Sequence, residues 1–319
     1  MFKLNLVASI AVFSIGIVTS NQVLAQNINE SSQSQPFRNI QTIATGLLQP
    51  YGIALDDKNL VITVNGELLK IDESGNVETI ATLTPGSPAG VITLGSEYIV
   101  VNNPDASLMR ITRGGSINTI ATNLDDPVGV AVQDNDFVVG NFGLGNGSLL
   151  RIGVDGTVSN IATTGVGGPT EIFVKDNNFY ITDFTFGRLL QVSATGEITE
   201  IATALGQPLD IDFDGKNFII TDFANGFDDP GKGRILRVSQ SGEVTTLVSG
   251  IGNPSGIVIE GSNLLFTDIV VGNVSRIEGL FSSQSIPEPA SGLGLLGLGV
   301  FGIGTLARRK LQPSKTIQR

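Results

Sequence analysis

The hydrophobic positions of this chain fall into short runs separated by glycine, proline and small polar residues. One unit, a proline, two further residues and an apolar run, occurs six times. Its prolines are 38, 39, 42, 39 and 46 residues apart. The six starts are Pro50-Tyr51-Gly52-Ile53, Pro88-Ala89-Gly90-Val91, Pro127-Val128-Gly129-Val130, Pro169-Thr170-Glu171-Ile172, Pro208-Leu209-Asp210-Ile211 and Pro254-Ser255-Gly256-Ile257.

Each unit contains signals for four short strands. In the fourth unit the first strand follows Pro169, and the later ones are Phe179-Tyr180-Ile181-Thr182, Leu189-Leu190-Gln191-Val192 and the Ile-Ala-Thr run at 201–203. The tight turn Thr195-Gly196-Glu197 separates the third strand from the fourth. Four strands with a period of about 40 residues are typical of a propeller blade. The pattern therefore predicts an all-β fold, a six-bladed β-propeller.

The ends of the repeat region predict how the ring closes. An Ile-Ala-Thr strand at 43–45 precedes the first proline unit, whereas the last unit, which ends near Phe281, has only three strands. We therefore expect the N-terminal strand, 40–46, to complete the last blade and to remove the open edges of the ring. The propeller domain is predicted to span residues 36–281.

The N-terminus has the order of a secretory signal. Lys3 precedes an apolar stretch from Leu4 to Val18, and Val23-Leu24-Ala25 supplies a small-residue cleavage pattern. Residues 1–25 are therefore predicted to be a signal peptide; a retained membrane helix is the alternative reading. Residues 26–35 are polar, and we expect a disordered linker.

The C-terminus reads as a sorting signal in three parts. Pro287-Glu288-Pro289 lies in a linker, 282–290; an uncharged stretch, 291–307, is the predicted transmembrane segment; and Arg308-Arg309-Lys310 begins a basic cytoplasmic tail, 308–319. This order resembles the PEP-CTERM sorting signal of bacterial envelope proteins. The resemblance implies processing by an exosortase-type system. We expect an exported protein in the periplasm, envelope or extracellular matrix, anchored in the membrane at least transiently.

Composition narrows the chemistry. Lys and Arg number 19 against 30 Asp and Glu, and the net charge of −11 repels the backbone of nucleic acids. The chain has no Cys and no His, which excludes disulfides, thiolate chemistry, His-ligated zinc and a Ser-His-Asp triad. A catalyst would have to use carboxylates, Lys, Tyr, Ser or a hard cation.

Polar residues recur where the second strand of each unit ends. A short polar side chain there can accept backbone N–H bonds as the strand turns outward; a ring of oxygen ligands is the alternative. The positions are Asn65, Asn102, Asn141, Asp183, Asp222 and Asp268.

Three carboxylates break the repeat and are the candidate site. Glu171 and Asp210 replace a glycine of the other four units, and Asp212 replaces an apolar residue. We expect them to share the mouth of the variable loops with Asp183 and Asp222, where they would repel unless a cation offsets them. Ca²⁺ is predicted before Mg²⁺ or Mn²⁺. The alternative is solvation, or salt bridges with Arg188 and Arg234.

Repeat spacing and the string Ile-Thr-Asp-Phe, at 181–184 and 220–223, resemble NHL-repeat and gluconolactonase-like propellers. With the sorting tail and the Ile-Ala-Thr strands, the chain resembles the propellers of scytonemin biosynthesis in cyanobacteria. That resemblance implies a step of pigment maturation outside the cytoplasm. Gluconolactonase-like proteins often have metal ligands directly after the proline. This chain differs at those positions, so the resemblance does not imply lactonase activity. Its residues are Tyr51, Ala89, Val128, Thr170, Leu209 and Ser255.

Two functions follow. In the first, the acidic mouth binds Ca²⁺ and a small aromatic or lactone-like ligand, with Glu171 or Asp210 as a base. In the second, the propeller is a non-catalytic envelope or matrix module that binds polysaccharide or protein. Several phenylalanines near the variable loops are predicted either to pack between blades or to form an aromatic platform. They are Phe142, Phe184, Phe186, Phe223 and Phe227.

Overall fold

A computed structural model of the protein describes residues 39–103, 105–224 and 231–281. They form six four-stranded antiparallel sheets and one 3₁₀ turn, Gly143–Gly145. The strands are β1 (Ile40–Thr45), β2 (Ile53–Asp56), β3 (Asn59–Val64), β4 (Glu67–Ile71), β5 (Val77–Thr82), β6 (Pro88–Leu94), β7 (Glu97–Asn102), β8 (Ser107–Thr112), β9 (Ile117–Ala121), β10 (Pro127–Gln133), β11 (Asp136–Asn141), β12 (Ser148–Ile152), β13 (Val158–Ala162), β14 (Pro169–Lys175), β15 (Asn178–Asp183), β16 (Arg188–Ser193), β17 (Ile198–Ala202), β18 (Pro208–Phe213), β19 (Asn217–Asp222), β20 (Arg234–Ser239), β21 (Val244–Ser249), β22 (Pro254–Glu260), β23 (Asn263–Asp268) and β24 (Asn273–Ile277).

The sheets are the blades of a closed ring. Their innermost strands, β2, β6, β10, β14, β18 and β22, contact one another in that order, and β22 returns to contact β2. The predicted six-bladed propeller is confirmed. The predicted closure is confirmed as well, because β1 pairs with β24 as the outer strand of the sixth blade, with Ile40 opposite Ile277.

Strand position explains the hydrophobic pattern. Second strands such as β15 and β19 lie inside a blade with both faces covered by neighbouring blades, so nearly every residue is buried and the sequence reads as a continuous apolar run. Outer strands such as β17 are exposed over their first three residues. Most of these exposed residues are polar, as expected at a solvated edge.

Threonine hydroxyls tie neighbouring blades together at the second strand. Thr182 Oγ1 accepts from the N–H of Glu171 at 3.0 Å and donates to the carbonyl of Leu209 in the next blade at 3.0 Å. Thr267 makes the same link at the closing seam, to the carbonyl of Tyr51 at 2.8 Å. Each hydroxyl therefore satisfies two buried backbone groups on two sheets.

The turn between third and fourth strands touches the preceding blade. Gly196 has φ +87°, and a Cβ there would lie 2.3 Å from the carbonyl oxygen of Ile161. Ile161 is the extra residue of a bulge in β13, where the register with β12 shifts between Leu149 and Leu150. The glycine is needed for the left-handed turn and for the close approach.

The predicted signal peptide, both linkers, the transmembrane segment and the basic tail lie outside the described residues. A helix of the length and hydrophobicity needed to span a bilayer does not occur among the residues that are described.

Candidate functional site

A cavity of about 420 Å³ runs along the propeller axis and is lined by the innermost strands of all six blades. It begins at the ring of residues two positions after each repeat proline, which includes Gly52, Glu171 and Asp210. It extends to Leu94, which is 37% exposed beside the turn between β6 and β7. We call the face with these first-to-second-strand turns the turn face, and the face with the second-to-third-strand loops the loop face.

The loop face is closed by the residues that directly follow the repeat prolines. All six are buried, Ala89, Val128 and Thr170 completely. Tyr51, Val128 and Leu209 belong to one apolar cluster that also contains Phe142 and Phe223 from the loop face. We call the ring of Tyr51, Ala89, Val128, Thr170, Leu209 and Ser255 the plug. The cavity lining comes from the innermost strands and includes no described residue of the variable loops, so the channel carboxyls are not grouped with those loops.

Three of the five predicted ligands, Glu171, Asp210 and Asp212, do line the channel. Glu171 Oε1 accepts from the N–H of Val130 in the third blade at 3.2 Å, and from its own neighbour Ile172 at 3.1 Å. Glu171 Oε2 accepts from no described residue and lies beside Gly90, where an added Cβ would be 3.2 Å from this oxygen. The carboxyl thus has one occupied oxygen and one that is free toward the channel.

Asp210 and Asp212 both reach the inner edge of β22. Asp210 accepts from Ile257 N at 2.7 Å and from Ile211 N at 2.6 Å, one bond on each oxygen. Asp212 accepts in the same way from Ile259 N at 2.8 Å and Phe213 N at 2.7 Å. Because the innermost strand is the edge of its sheet, its outward N–H groups lack ladder partners, and these carboxyls supply them.

Burial dominates the electrostatics of the channel. It raises the pKa of Glu171 well above the usual range, with the charge of Asp210 adding to the rise. It raises the pKa of Asp210 to about 8 and that of Asp212 to about 6, against the opposing effect of their N–H donors. The cavity lining contains no Lys or Arg among the described residues. Burial therefore shifts all three carboxyls toward their protonated forms.

Asp183 and Asp222 do not line the channel. Both are fully buried at the ends of β15 and β19. Asp183 Oδ2 accepts from Arg188 Nε at 3.0 Å and Nη2 at 2.5 Å, while Oδ1 accepts from the N–H of Gly168 at 2.9 Å. Asp222 is bound by Arg234 in the same manner, with Nε at 2.7 Å. The salt bridges named as the alternative are formed for this pair.

The other strand ends mostly follow the capping interpretation. Asp268 accepts from the N–H of Asn253 at 3.1 Å and of Val271 at 2.9 Å, and Asn102 accepts from Ser87 N at 3.1 Å. One assignment is wrong. In the first blade Val64 ends the second strand, and Asn65 lies one residue beyond it.

The channel carboxyls do not form the donor set of a shared metal ion. Among the described residues, no group of three or more acidic side chains is arranged to hold one. Five of the six carboxyl oxygens in the channel already accept backbone N–H bonds, and only Glu171 Oε2 does not. The five predicted ligands do not come together as one metal site.

Tyr51, a member of the plug, is a buried residue to which sequence reasoning gave no role. Its hydroxyl is buried and has no hydrogen-bond partner among the residues that the structure describes. Burial raises the pKa of Tyr51, and the charges of Glu171, Asp210 and Asp126 add to the rise. Tyr51 is the only aromatic residue among the six that follow the repeat prolines, and this is the signal by which it could have been found.

The phenylalanines have different fates. Phe142 is fully buried and packs edge-on against Phe184, with ring centroids 5.8 Å apart. Phe223 is buried, and Phe186 is 55% exposed on the loop face. Phe227 lies outside the described residues. Packing therefore accounts for Phe142 and Phe223, and of the four described rings Phe186 is the one that is largely exposed.

Comparison with known proteins separates the tail from the propeller. Residues 285–310 match the PEP-CTERM protein-sorting motif. The match implies export, processing by the exosortase system and transient anchoring in the membrane. No curated protein matches the sequence significantly.

Solved structures match the propeller. A gluconolactonase from Xanthomonas campestris aligns with a TM-score of 0.64 and 13% identity, covering 75% of this chain and 89% of that chain. A luciferin-regenerating enzyme aligns with a TM-score of 0.62 and 16% identity, covering 76% and 96%. A catalytically inactive histidine-to-alanine variant of virginiamycin B lyase from Staphylococcus aureus, with quinupristin, aligns with a TM-score of 0.57 and 18% identity, covering 75% and 98%. At these identities the likeness establishes the fold alone: this is a six-bladed propeller related in fold to gluconolactonase-like proteins.

Proposed function

We propose that this exported propeller takes a small organic molecule into its axial channel from the turn face. One observation carries the proposal: the cavity has an apolar wall on four blades and three carboxyls grouped on the adjacent fourth and fifth blades. Ligand sites commonly combine an apolar lining with a few convergent polar groups, and a volume of about 420 Å³ lies within their range.

The apolar wall suits a flat ligand. Val91, Ile92 and Val258 line one side, and Phe173 projects from the carboxyl side, where its ring packs on Phe213 at 5.6 Å. An aromatic or lactone-like molecule of this size would place its hydrocarbon surface on the wall and its polar atoms toward Glu171 or Asp212. Maturation of a scytonemin-type pigment is the finer role that the resemblance suggests, and these features are compatible with it.

The test is a blocked channel. Ala54 lines the cavity, and Ala54→Phe would fill part of it. A library of small aromatic and cyclic molecules is screened by thermal unfolding of the purified protein, since a ligand that binds only the folded state raises the melting temperature. Stabilising molecules are expected to lose their effect on Ala54→Phe. The control Val154→Phe adds the same side chain at a surface position that is 60% exposed. Hits that stabilise both variants equally would refute a channel site.

Calcium binding stays a prediction. Glu171 Oε2 with Asp210 is the pair that would hold the ion, because Asp183 and Asp222 are bound to arginines. After chelation, millimolar Ca²⁺ is expected to raise the melting temperature of the wild-type protein and not that of Glu171→Ala with Asp210→Ala. An equal rise in both would remove these residues from any calcium site.

A non-catalytic module for polysaccharide is the second candidate, and the loop face favours it. Phe186 is exposed there, with the Arg188 guanidinium 4.9 Å from its ring centre, a surface suited to a sugar ring. This reading expects Phe186→Ala to abolish polysaccharide retention while Ala54→Phe leaves it unchanged.

A further inference from the structure

Two further cavities lie between neighbouring blades, toward the outer strands. The first, of about 290 Å³, lies between the first and second blades, and seven of its nine described lining residues have polar side chains. The second, of about 510 Å³, lies between the second and third blades. Among the described residues, neither cavity shares a lining residue with the axial channel. We call these cavities the first groove and the second groove.

The two grooves are built from the same positions of successive blades. Each has one basic residue of a third strand, three consecutive residues of an outer strand, and two residues of the turn between the third and fourth strands of the next blade. These are Lys70, 78–80 and 113–114 in the first groove, and Arg110, 118–120 and 154–155 in the second. Strand pairing shows the equivalence, because Lys70 lies opposite Glu78 and Arg110 lies opposite Asn118.

The grooves adjoin each other on one hairpin of the second blade. Gly114 lines the first groove, and Asn118, four residues later, lines the second. Four residues of chain span at most about 14 Å, so one extended ligand can reach both grooves. Ile117 lies between these two residues and is 43% exposed, which provides an apolar contact along the path.

Positive and negative side chains balance each other in both grooves. In the first groove Lys70 Nζ lies 2.6 Å from Glu78 Oε2, and Arg113 binds the buried carboxylate of Asp56. The described lining of the second groove has one basic and one acidic residue. A strongly charged ligand therefore gains no net attraction there, whereas a neutral polar ligand has no charge to compensate.

The first groove keeps hydrogen-bond donors available. The hydrogen bonds of Arg113 to Asp56 and to the carbonyl of Gly95 both use Nη2, which leaves other N–H groups of the guanidinium for a ligand. Tyr98 donates to Asp56 at 2.7 Å and so fixes the carboxylate that holds Arg113. Both residues depart from the repeat, since the other five blades have Leu or Phe in place of Tyr98 and the other four turns have no basic residue in place of Arg113.

We propose that the two grooves together bind a neutral polysaccharide, with one stretch of the polymer in each groove. Sugar hydroxyls donate and accept hydrogen bonds, which suits a lining of mixed donors and acceptors, and a repeating polymer suits a repeated groove. Simultaneous binding in both grooves raises the affinity through avidity. This inference goes beyond the channel function because it uses no channel residue, and it places the polysaccharide on the opposite face from Phe186.

Affinity gel electrophoresis of the purified protein tests the proposal. The gels contain dextran, amylose, mannan or galactan, and the dependence of mobility on polysaccharide concentration gives the dissociation constant. At least one of the four neutral polymers is expected to retard the protein. The carboxymethyl derivative of that same polymer should retard it less. Absence of retardation by all four, or stronger retardation by the carboxymethyl derivative, would overturn the proposal.

Blocked grooves provide the variants. Thr79→Phe and Thr119→Phe each add a ring at an exposed outer-strand position that lines one groove. Each is expected to weaken binding at least about 10-fold, and the two together to abolish it. Arg110→Ala removes donors from the second groove without adding bulk and should also weaken binding. Thr246→Phe is the matched control, because Thr246 occupies the same exposed position in the fifth blade and lines neither groove.

Two variants already described separate the groove site from the other readings. Ala54→Phe and Phe186→Ala change residues that line neither groove, so both should leave the retardation unchanged. Equal weakening by Thr246→Phe, or retardation that depends on Phe186 and not on the two groove threonines, would overturn the groove site and leave the channel proposal standing. Loss of small-molecule stabilisation is a separate readout, which fails only if the channel function fails.

Discussion

Two buried tyrosines in this propeller have opposite hydrogen-bond states. Tyr98 donates to Asp56, a carboxyl that also binds Arg113, whereas the Tyr51 hydroxyl has no partner in the described part of the chain. The same chemical change at the two positions therefore has different consequences. Replacing each tyrosine with phenylalanine removes the hydroxyl and keeps the ring, so the change measures the energetic role of the hydroxyl alone.

Removal of the hydroxyl should change the free energy of unfolding differently at Tyr98 and at Tyr51. Tyr98→Phe is expected to lower the free energy of unfolding by about 1–3 kcal/mol, since it breaks a hydrogen bond and leaves the Asp56 carboxylate without one of its donors. Tyr51→Phe is expected to change it by less than about 0.5 kcal/mol or to raise it, since no bond is lost. Urea unfolding of the purified variants measures both. A larger loss at Tyr51 would mean that its hydroxyl is satisfied within the protein.

At the scale of strands and turns, one contact repeats around the ring. In the first five blades a turn glycine meets a bulged outer strand of the blade before it: Gly75 meets Ile43, Gly115 meets Ile80, and Gly196 meets Ile161. The first of these contacts joins the first blade to β1, the closing strand. This arrangement explains why glycine recurs in the third turn and why the Ile-Ala-Thr strand carries a bulge.

Substitution of one turn glycine tests this contact. Gly196→Ala must strain a φ of +87° and place Cβ 2.3 Å from Ile161 O, so we expect a loss of roughly 2–4 kcal/mol in the free energy of unfolding. Gly46→Ala is the matched control: its φ is +77°, but a Cβ there meets nothing within 4 Å. It should lose only about 1 kcal/mol. Equal losses in urea unfolding would show that the blade contact contributes nothing.

At the scale of the whole molecule, the channel acids set an unusual dependence of stability on pH. The folded pKa values of Glu171, Asp210 and Asp212 lie above those of the unfolded chain. Between about pH 4 and about pH 8 the folded state therefore binds more protons than the unfolded chain does. The free energy of unfolding falls as the pH rises through this range.

Thermal unfolding in the presence of a chelator checks the sign. The melting temperature is expected to fall by at least about 5 °C between pH 5 and pH 8.5, and Asp210→Asn should flatten this decline. Asp57→Asn, at a side chain that is 83% exposed, should leave the slope unchanged. A melting temperature that rises over the same interval would show that these carboxyls are ionised in the folded protein.

Repeat-scale features of this molecule were predictable from sequence, and site-scale features were only partly so. The spacing of the prolines indicated six blades, and the missing last strand indicated how the ring closes. Both signals lie within single segments of the chain, so the sequence shows them directly. Glu171, Asp210 and Asp212 were found because they break the repeat. Their partners on other blades, such as Ile257 N, and the burial of Tyr51 depend on how sheets meet, which no local pattern encodes.

One misplacement has a local cause. Asn65 was aligned with the strand-end acids by its polarity, but the threonine of the second strand is the better guide. Thr63 occupies the place of Thr182, so Val64 is the counterpart of Asp183. The threonine whose hydroxyl bonds two blades is therefore a better guide to the alignment of the second strands than the polar residue after it.

The closing strand also brings the two limits of the described domain together. Glu278 N donates to the carbonyl of Asn39 at 3.1 Å, and the side chains of these residues are bonded at the same distance. A short peptide could join these neighbours, and the chain could begin instead at any other turn-face hairpin without losing a strand pair. The propeller is thus a natural candidate for circular permutation, in which the place where the polypeptide starts is a matter of gene order and not of architecture.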